Sequence, residues 1–232
     1  MNVASDGDMV RRVARVRAVI EAAAVRCGRD PSTITLVAAS KGASRAQIDA
    51  ARRAGLTVFG ENRVQEAYEK FDPPGSDDDR RRRGEVHLIG PLQTNKVKRA
   101  VGFFDLIHSV DRLALAEAIQ REAARRSMTQ AVLVQVNIGA EATKHGVLPD
   151  ATSSLVEAVR SLPNVSLLGL MAIPPVADDP ERARPWFSRL RQLAVSLKLP
   201  RLSMGMSSDF EVAIEEGASW IRIGSALFGH RR

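Results

Sequence analysis

Eight short runs rich in valine, isoleucine and leucine punctuate the chain, at residues 34–40, 57–62, 86–90, 106–110, 131–137, 165–173, 201–206 and 220–224. They lack strict polar–apolar alternation, which is the pattern of parallel strands covered on both faces. Amphipathic stretches with helical spacing lie between and after them, at 45–54, 63–70, 94–101, 111–126, 151–162, 181–197 and 208–216. Another precedes the first run, over 8–26, with Val13, Val16, Ile20 and Ala23 on one face and Arg11, Arg15 and Arg26 off it. Asp111 is the expected N-cap of the fourth of these helices, and Ser208-x-x-Glu211 the expected capping box of the last. Eight such units in 232 residues predict an α/β fold: a single (β/α)8 TIM barrel with an extra N-terminal helix. A doubly wound open sheet has a similar element string but binds its ligand at one switch point. Here Lys41, Asn62, Gln93, Ser109, Asn137, Ser207 and Ser225 all fall at or just beyond C-terminal strand ends. Barrel enzymes build their sites on that one face, so the barrel is the expected architecture. It would occupy residues 1–232 as one domain.

Cys27 is the only cysteine, so no disulfide forms within the chain. No run approaches about 18 consecutive apolar residues, and the polar N-terminus has no secretory signal pattern. No membrane association and a cytoplasmic location are expected. Lys+Arg is 34 against 27 Asp+Glu, a net charge of +7, and six of the 34 are lysines. The densest basic run, Arg80 to Arg83, directly follows Asp77, Asp78 and Asp79; composition therefore predicts a solvated, flexible loop over 72–84 that largely neutralises itself. Aromatic residues are 4%, too few for stacking on single-stranded bases. An arginine-rich solvated surface accounts for the charge better than a nucleic-acid footprint.

Lys41 follows Leu36-Val-Ala-Ala-Ser40, an apolar run without another charge. An apolar wall disfavours the ammonium form and leaves a neutral amine able to attack an aldehyde. The alternative is a strand-end lysine that snorkels to solvent. Lys70, Lys96, Lys98, Lys144 and Lys198 sit in more polar surroundings, which leaves Lys41 as the best amine nucleophile. At the other end of the chain, Ser203-Met-Gly-Met-Ser-Ser-Asp209 and Gly224-Ser225 follow the seventh and eighth runs. Those two loops are the usual phosphate site of this fold, although Gly/Ser turns with a capped helix would read the same way. Together with Lys41 on the same face they suggest an aldehyde-bearing phosphate ligand. Arg222 lies inside the last apolar run, where it must be paired, for example with Glu61, or aimed at a ligand. Against a ring nitrogen it would keep that nitrogen unprotonated.

These residues fall into an ordered series. Ser40-Lys41, Phe59-Gly-Glu-Asn-Arg-Val-Gln-Glu66, His87-Leu-Ile-Gly-Pro-Leu-Gln-Thr-Asn-Lys96, Ser109-Val-Asp111, Gly169-Leu-Met-Ala-Ile173, Leu202-Ser-Met-Gly-Met-Ser-Ser-Asp209 and Arg222-Ile-Gly-Ser-Ala-Leu-Phe-Gly229 span nearly the whole chain. The series resembles the pyridoxal phosphate homeostasis protein family. The resemblance implies a barrel similar to the N-terminal domain of alanine racemase, holding pyridoxal 5'-phosphate as a Schiff base on Lys41. It implies phosphate contacts from Ser207, Gly224 and Ser225 with Ser203 nearby, Asn62 beside the ring, and Arg222 facing the pyridine nitrogen. The implied role is storage, carriage or delivery of the cofactor, with apo enzymes as possible recipients and a monomer or weak homodimer as the working form. The run Gly42-Ala-Ser44 replaces the bulkier residues the family usually carries after the lysine, and leaves the backbone there less constrained.

His87 begins its run, at the bottom of a barrel, and reads as a structural histidine rather than a base; Gln93 and Asn95 read as loop organisers. A pyridoxal-dependent amino-acid racemase is the competing function. Racemisation needs an acid/base on each face of the substrate. Lys41 can serve one, but the tyrosine serving the other in alanine-racemase-like enzymes belongs to a second domain, for which this chain has no room. Its one tyrosine is Tyr68. A carrier without substrate turnover is therefore the expected function.

Overall fold

The computed structural model describes residues 6–73 and 77–229. Eight parallel strands, β1 (Thr35–Ala39), β2 (Val58–Glu61), β3 (Glu85–Leu88), β4 (Leu106–Val110), β5 (Gln130–Val136), β6 (Val165–Ala172), β7 (Arg201–Ser203) and β8 (Trp220–Ile223), close in sequence order into a barrel. The closing pair aligns Thr35 to Ala38 of β1 with Trp220 to Ile223 of β8. The helices are α1 (Asp6–Arg26), α2 (Arg45–Arg53), α3 (Val64–Lys70), α4 (Asp77–Arg83), α5 (Val97–Ala100), α6 (Leu113–Arg125), α7 (Thr152–Arg160), α8 (Arg184–Ser196), α9 (Phe210–Glu215) and α10 (Ser225–Phe228). This is a (β/α)8 barrel, as the eight runs predict.

The α1 helix is not an appendage. Its buried stripe, Met9, Val13, Val16, Ile20, Ala23 and Ala24, has the spacing of one helix face. It packs against α9, α10 and α2, taking the outer-ring place that the four-residue α10 is too short to fill. Arg26 fastens it to Glu211 and Glu215 of α9, and Arg12 Nη1 donates to the Leu227 carbonyl of α10.

Three local expectations are corrected. Residues 77–83 of the expected 72–84 loop form α4, and Arg83 is buried, donating to Asp105 Oδ2 at 2.7 Å and to the Phe103 carbonyl at 3.0 Å. Residues 74–76 lie outside the described residues. An acid-first, base-last order along one helix suits the helix dipole, a signal that composition alone conceals. Asp111 does not cap α6: the N-cap is Arg112, and the Asp111 carboxylate accepts from the Arg112 guanidinium at 2.6 Å. Nor does the Ser208 box form, because α9 starts one residue later; Asp209 instead accepts from the Met206 amide at 2.6 Å, closing the β7–α9 loop.

The barrel interior and the strand–helix shell are packed separately. Inside, Val37, Ala39, Val58 and Ile89 form one apolar group and Leu106, Leu133 and Met171 another, with Trp220 touching both. His87, His108, Ser203 and Arg222, all buried, complete the interior as a polar set. No helix among the described residues is long and apolar enough to cross a membrane.

Candidate cofactor site

A pocket of about 400 Å³ opens at the C-terminal face beside the β1–β8 seam, lined by Ala39, Lys41, Asn62, Arg63, Glu66, Gly224, Ser225, Phe228 and Gly229. Four of the seven residues expected at the site, Lys41, Asn62, Gly224 and Ser225, therefore meet in one cavity. Ser207 lies in the β7–α9 loop and does not line it, while Ser203 and Arg222 lie within the barrel. Arg63, Glu66 and Phe228 line the pocket without having been anticipated. They occupy the first turns after β2 and β8, where helical spacing masks a role in a site.

Lys41 is exposed, in the turn after β1. It is not set into the apolar surroundings expected of it, because β1 ends at Ala39 and the chain turns there. Gly42 has φ +76°, a left-handed conformation that glycine enters without strain, so this residue makes the turn that presents Lys41.

The turn is anchored from below by a buried ion pair. Glu61, the last residue of β2, is fully buried; Lys70 Nζ from α3 donates to its two carboxylate oxygens at 2.9 and 3.0 Å and to the Ser40 carbonyl at 2.9 Å. Ser40 Oγ donates to the same carboxylate at 2.6 Å. Three acceptors thus meet the three ammonium donors. Burial nevertheless raises the Glu61 pKa, against the Ser40 and Lys70 hydrogen bonds that lower it. Lys70 has the polar setting expected of it but is half-buried, and one expectation changes: Glu61 pairs with it rather than with Arg222.

Asn62 continues from Glu61 into the pocket. A Cβ on Gly90, just after β3, would stand 2.3 Å from the Asn62 carbonyl oxygen, so the two strand ends pass in contact. Gly90→Ala is expected to push the Asn62 loop aside and to lower stability by about 1–3 kcal/mol, read as a fall in urea midpoint. An unchanged midpoint would contradict this packing.

Arg222 aligns with Val37 across the seam. Ala39 and Gly224, two residues further along their strands, face the same way and line the pocket, so Arg222 lies one layer beneath its floor. Nη1 donates to Ser203 Oγ at 2.6 Å and Nη2 to the Ala172 carbonyl at 3.0 Å. Burial pushes the Arg222 pKa down to about 10, against the attraction of Asp209. Ser203 is spent on this contact and on His108 Nδ1 at 2.8 Å. His108, unremarked in the sequence, is fully buried; burial, then His87 and Arg222, hold its pKa well below the usual imidazole range. As a polar residue in the centre of the Leu106–Val110 run, it carried the signal of an inward-facing functional position. His87 belongs to the interior wall rather than to the pocket, although it is the third residue of β3 and not, as expected, its beginning.

The donor set suits a phosphorylated aldehyde. Lys41 supplies an amine, Asn62 a carboxamide, and Ser225 a hydroxyl at the start of α10. Gly224 keeps the wall open: a Cβ there would stand 3.1 Å from the Ala39 carbonyl oxygen. Among the described residues no cluster of three His, Cys, Asp or Glu side chains could hold a metal ion.

Comparison with known proteins places the chain in a family. The family described as alanine racemase, N-terminal domain, matches residues 13–232. A pyridoxal phosphate homeostasis protein of Aquifex aeolicus is 47% identical over 227 residues, covering 95% of this chain and 97% of its own. A protein of the same name from Pseudomonas aeruginosa is 42% identical, covering 96% of each. PipY of Synechococcus elongatus, solved with PLP bound, superposes with a TM-score of 0.80 at 34% identity, covering 95% of this chain and all of PipY. On identity and coverage together, the chain belongs to the pyridoxal phosphate homeostasis protein family.

Proposed function

We propose that this chain binds pyridoxal 5'-phosphate in the pocket at the β1–β8 seam and serves to store, carry or deliver it, without substrate turnover of its own. The observation that carries this reading is the meeting of Lys41 with Gly224 and Ser225 in one cavity. The cofactor supplies an aldehyde that an amine can capture and a ring that can act as an electron sink. Lys41 supplies the amine. Gly224 and Ser225 bind the phosphate, with Ser207 completing the cradle from the neighbouring loop. Asn62 lies along the ring, and Arg222 offers a positive charge at the ring nitrogen, with Ser203 holding Arg222 rather than the phosphate. The names of the relatives support a homeostatic role, and the PLP bound to PipY supports the ligand.

A racemase would need a second acid/base at the pocket. Tyr68 does not supply it: its hydroxyl donates to the Arg99 carbonyl at 2.8 Å and its ring stacks on Phe103 at 4.1 Å. Apo enzymes that use the cofactor are the proposed recipients, in the cytoplasm, with the barrel of residues 1–232 acting as one unit and as a monomer or weak homodimer. Titration of the ligand-free protein with pyridoxal phosphate, followed by visible absorbance, should saturate at one equivalent per chain. A protein that stays colourless would overturn the reading, and ordinary enzymatic inversion of single amino-acid enantiomers would replace the carrier with the racemase.

A further inference from the structure

The interior polar set has a direction. A guanidinium only donates, so Ser203 Oγ must accept from Arg222 Nη1, at 2.6 Å. The serine proton then goes to its other partner, His108 Nδ1, at 2.8 Å. A neutral imidazole that accepts on Nδ1 carries its proton on Nε2. His108 Nε2 therefore donates to His87 Nδ1 at 3.1 Å, and His87 Nε2 donates in turn to Glu85 Oε2 at 3.1 Å. Every bond points the same way, from the guanidinium to the carboxylate. The opposite neutral tautomer of either histidine would set two donors or two acceptors face to face.

The chain crosses most of the barrel. Glu85 is the first residue of β3, at the bottom rim, with a side chain 64% exposed. His87 and His108 are buried, and Trp220 meets both rings edge-on, at 6.5 and 5.9 Å. No carboxylate among the described residues forms an ion pair with Arg222: Asp209 acts on it only through the field, and the anion at the end of the bonded path is Glu85. The His87 hydrogen bond, outweighing burial, keeps the Glu85 carboxyl below its usual range, which suits an anionic terminus.

We propose that Ser203, His108, His87 and Glu85 form a one-way donor chain whose task is to position Arg222 beneath the cofactor pocket, making all four positioning residues for the cofactor's ring. This rests on the reading of Arg222 as the group facing the ring nitrogen. With Ala172 holding the other arm, Ser203 is the one side chain among the described residues that anchors the guanidinium. His108 takes the Ser203 proton, which turns the oxygen's lone pairs toward the guanidinium.

The test begins with the ligand-free wild-type protein. Imidazole 15N spectra at neutral pH should show His108 as the neutral Nε2–H tautomer. An Nδ1–H or charged His108 would overturn the chain without any variant. In the pyridoxal phosphate-loaded protein, Ser203→Ala should weaken binding about tenfold and shift the pH dependence of the bound chromophore by about one unit. Ser203→Thr, which keeps the hydroxyl, should retain both. Wild-type pH dependence and affinity in Ser203→Ala would overturn the positioning role. A wild-type protein that binds no pyridoxal phosphate yet shows the expected His108 tautomer would refute the proposed function and leave the donor chain standing.

Discussion

Lys41→Ala is expected to lower pyridoxal phosphate affinity on the order of a hundredfold or more and to abolish the visible band of the bound cofactor, because it removes the one amine among the groups lining the pocket. Stability should hardly move. The side chain is exposed and forms no hydrogen bond or ion pair among the described residues, and such substitutions usually fall within about 0.5 kcal/mol. The comparison with Lys41→Arg separates charge from chemistry. Arginine keeps the positive charge beside Ser225 but cannot serve as a free amine, so some phosphate affinity should survive without the colour. Equilibrium dialysis measures the first quantity and absorbance the second. A Lys41→Ala protein that keeps the wild-type band would mean that a different lysine holds the cofactor.

Lys70→Ala should produce the largest loss of stability among these variants. It leaves the Glu61 carboxylate buried with Ser40 Oγ and no counter-ion, and breaking one side of a buried pair costs about 3–5 kcal/mol. The pH dependence follows from the carboxyl. Burial already raises the Glu61 pKa with Lys70 in place, and removal of the ammonium raises it further. A raised carboxyl binds more protons folded than unfolded, so the variant loses stability as pH rises from the ordinary carboxyl range toward the folded pKa. Urea midpoints of Lys70→Ala should therefore improve on acidification toward pH 5, and Glu61→Gln in the same chain should restore part of the loss at neutral pH. A deficit below about 1 kcal/mol at pH 7 would contradict the pairing. Because Lys70 also holds the Ser40 carbonyl, cofactor affinity should fall in the same variant even where it remains folded.

The strands and their one-sided polar ends were legible because parallel strands buried on both faces have to be apolar nearly throughout, and each exception stands out. Lys41, Asn62 and Ser225 stood out that way and Gly224 as part of the Gly-Ser turn, and the four line one pocket. The Lys70–Glu61 pair was not legible, since it joins a helix to a strand end and depends on which face of α3 turns inward. Nor was the path from Ser203 to His87, which depends on strand register around the closed barrel: nothing in the order of residues 87, 108, 203 and 222 says that their side chains meet inside it. The caps failed for a local reason. Asp111 and Ser208 had the right residue types, but loop closure moved each helix start past them, and the Asp111 carboxylate took the Arg112 guanidinium instead.

The seam between β1 and β8 is where a chain that runs in order around a barrel must meet itself. Lys41 stands on one lip and Ser225 on the other, separated by nearly the whole sequence. A ligand gripped by both acts as a clasp. It draws on the first and last strands together, so it stabilises closure itself rather than any one element, and by mass action it does so in proportion to how tightly it is held. During synthesis the site comes into being last, after every other strand has been laid down. During unfolding it is the first thing that parting of the lips would release.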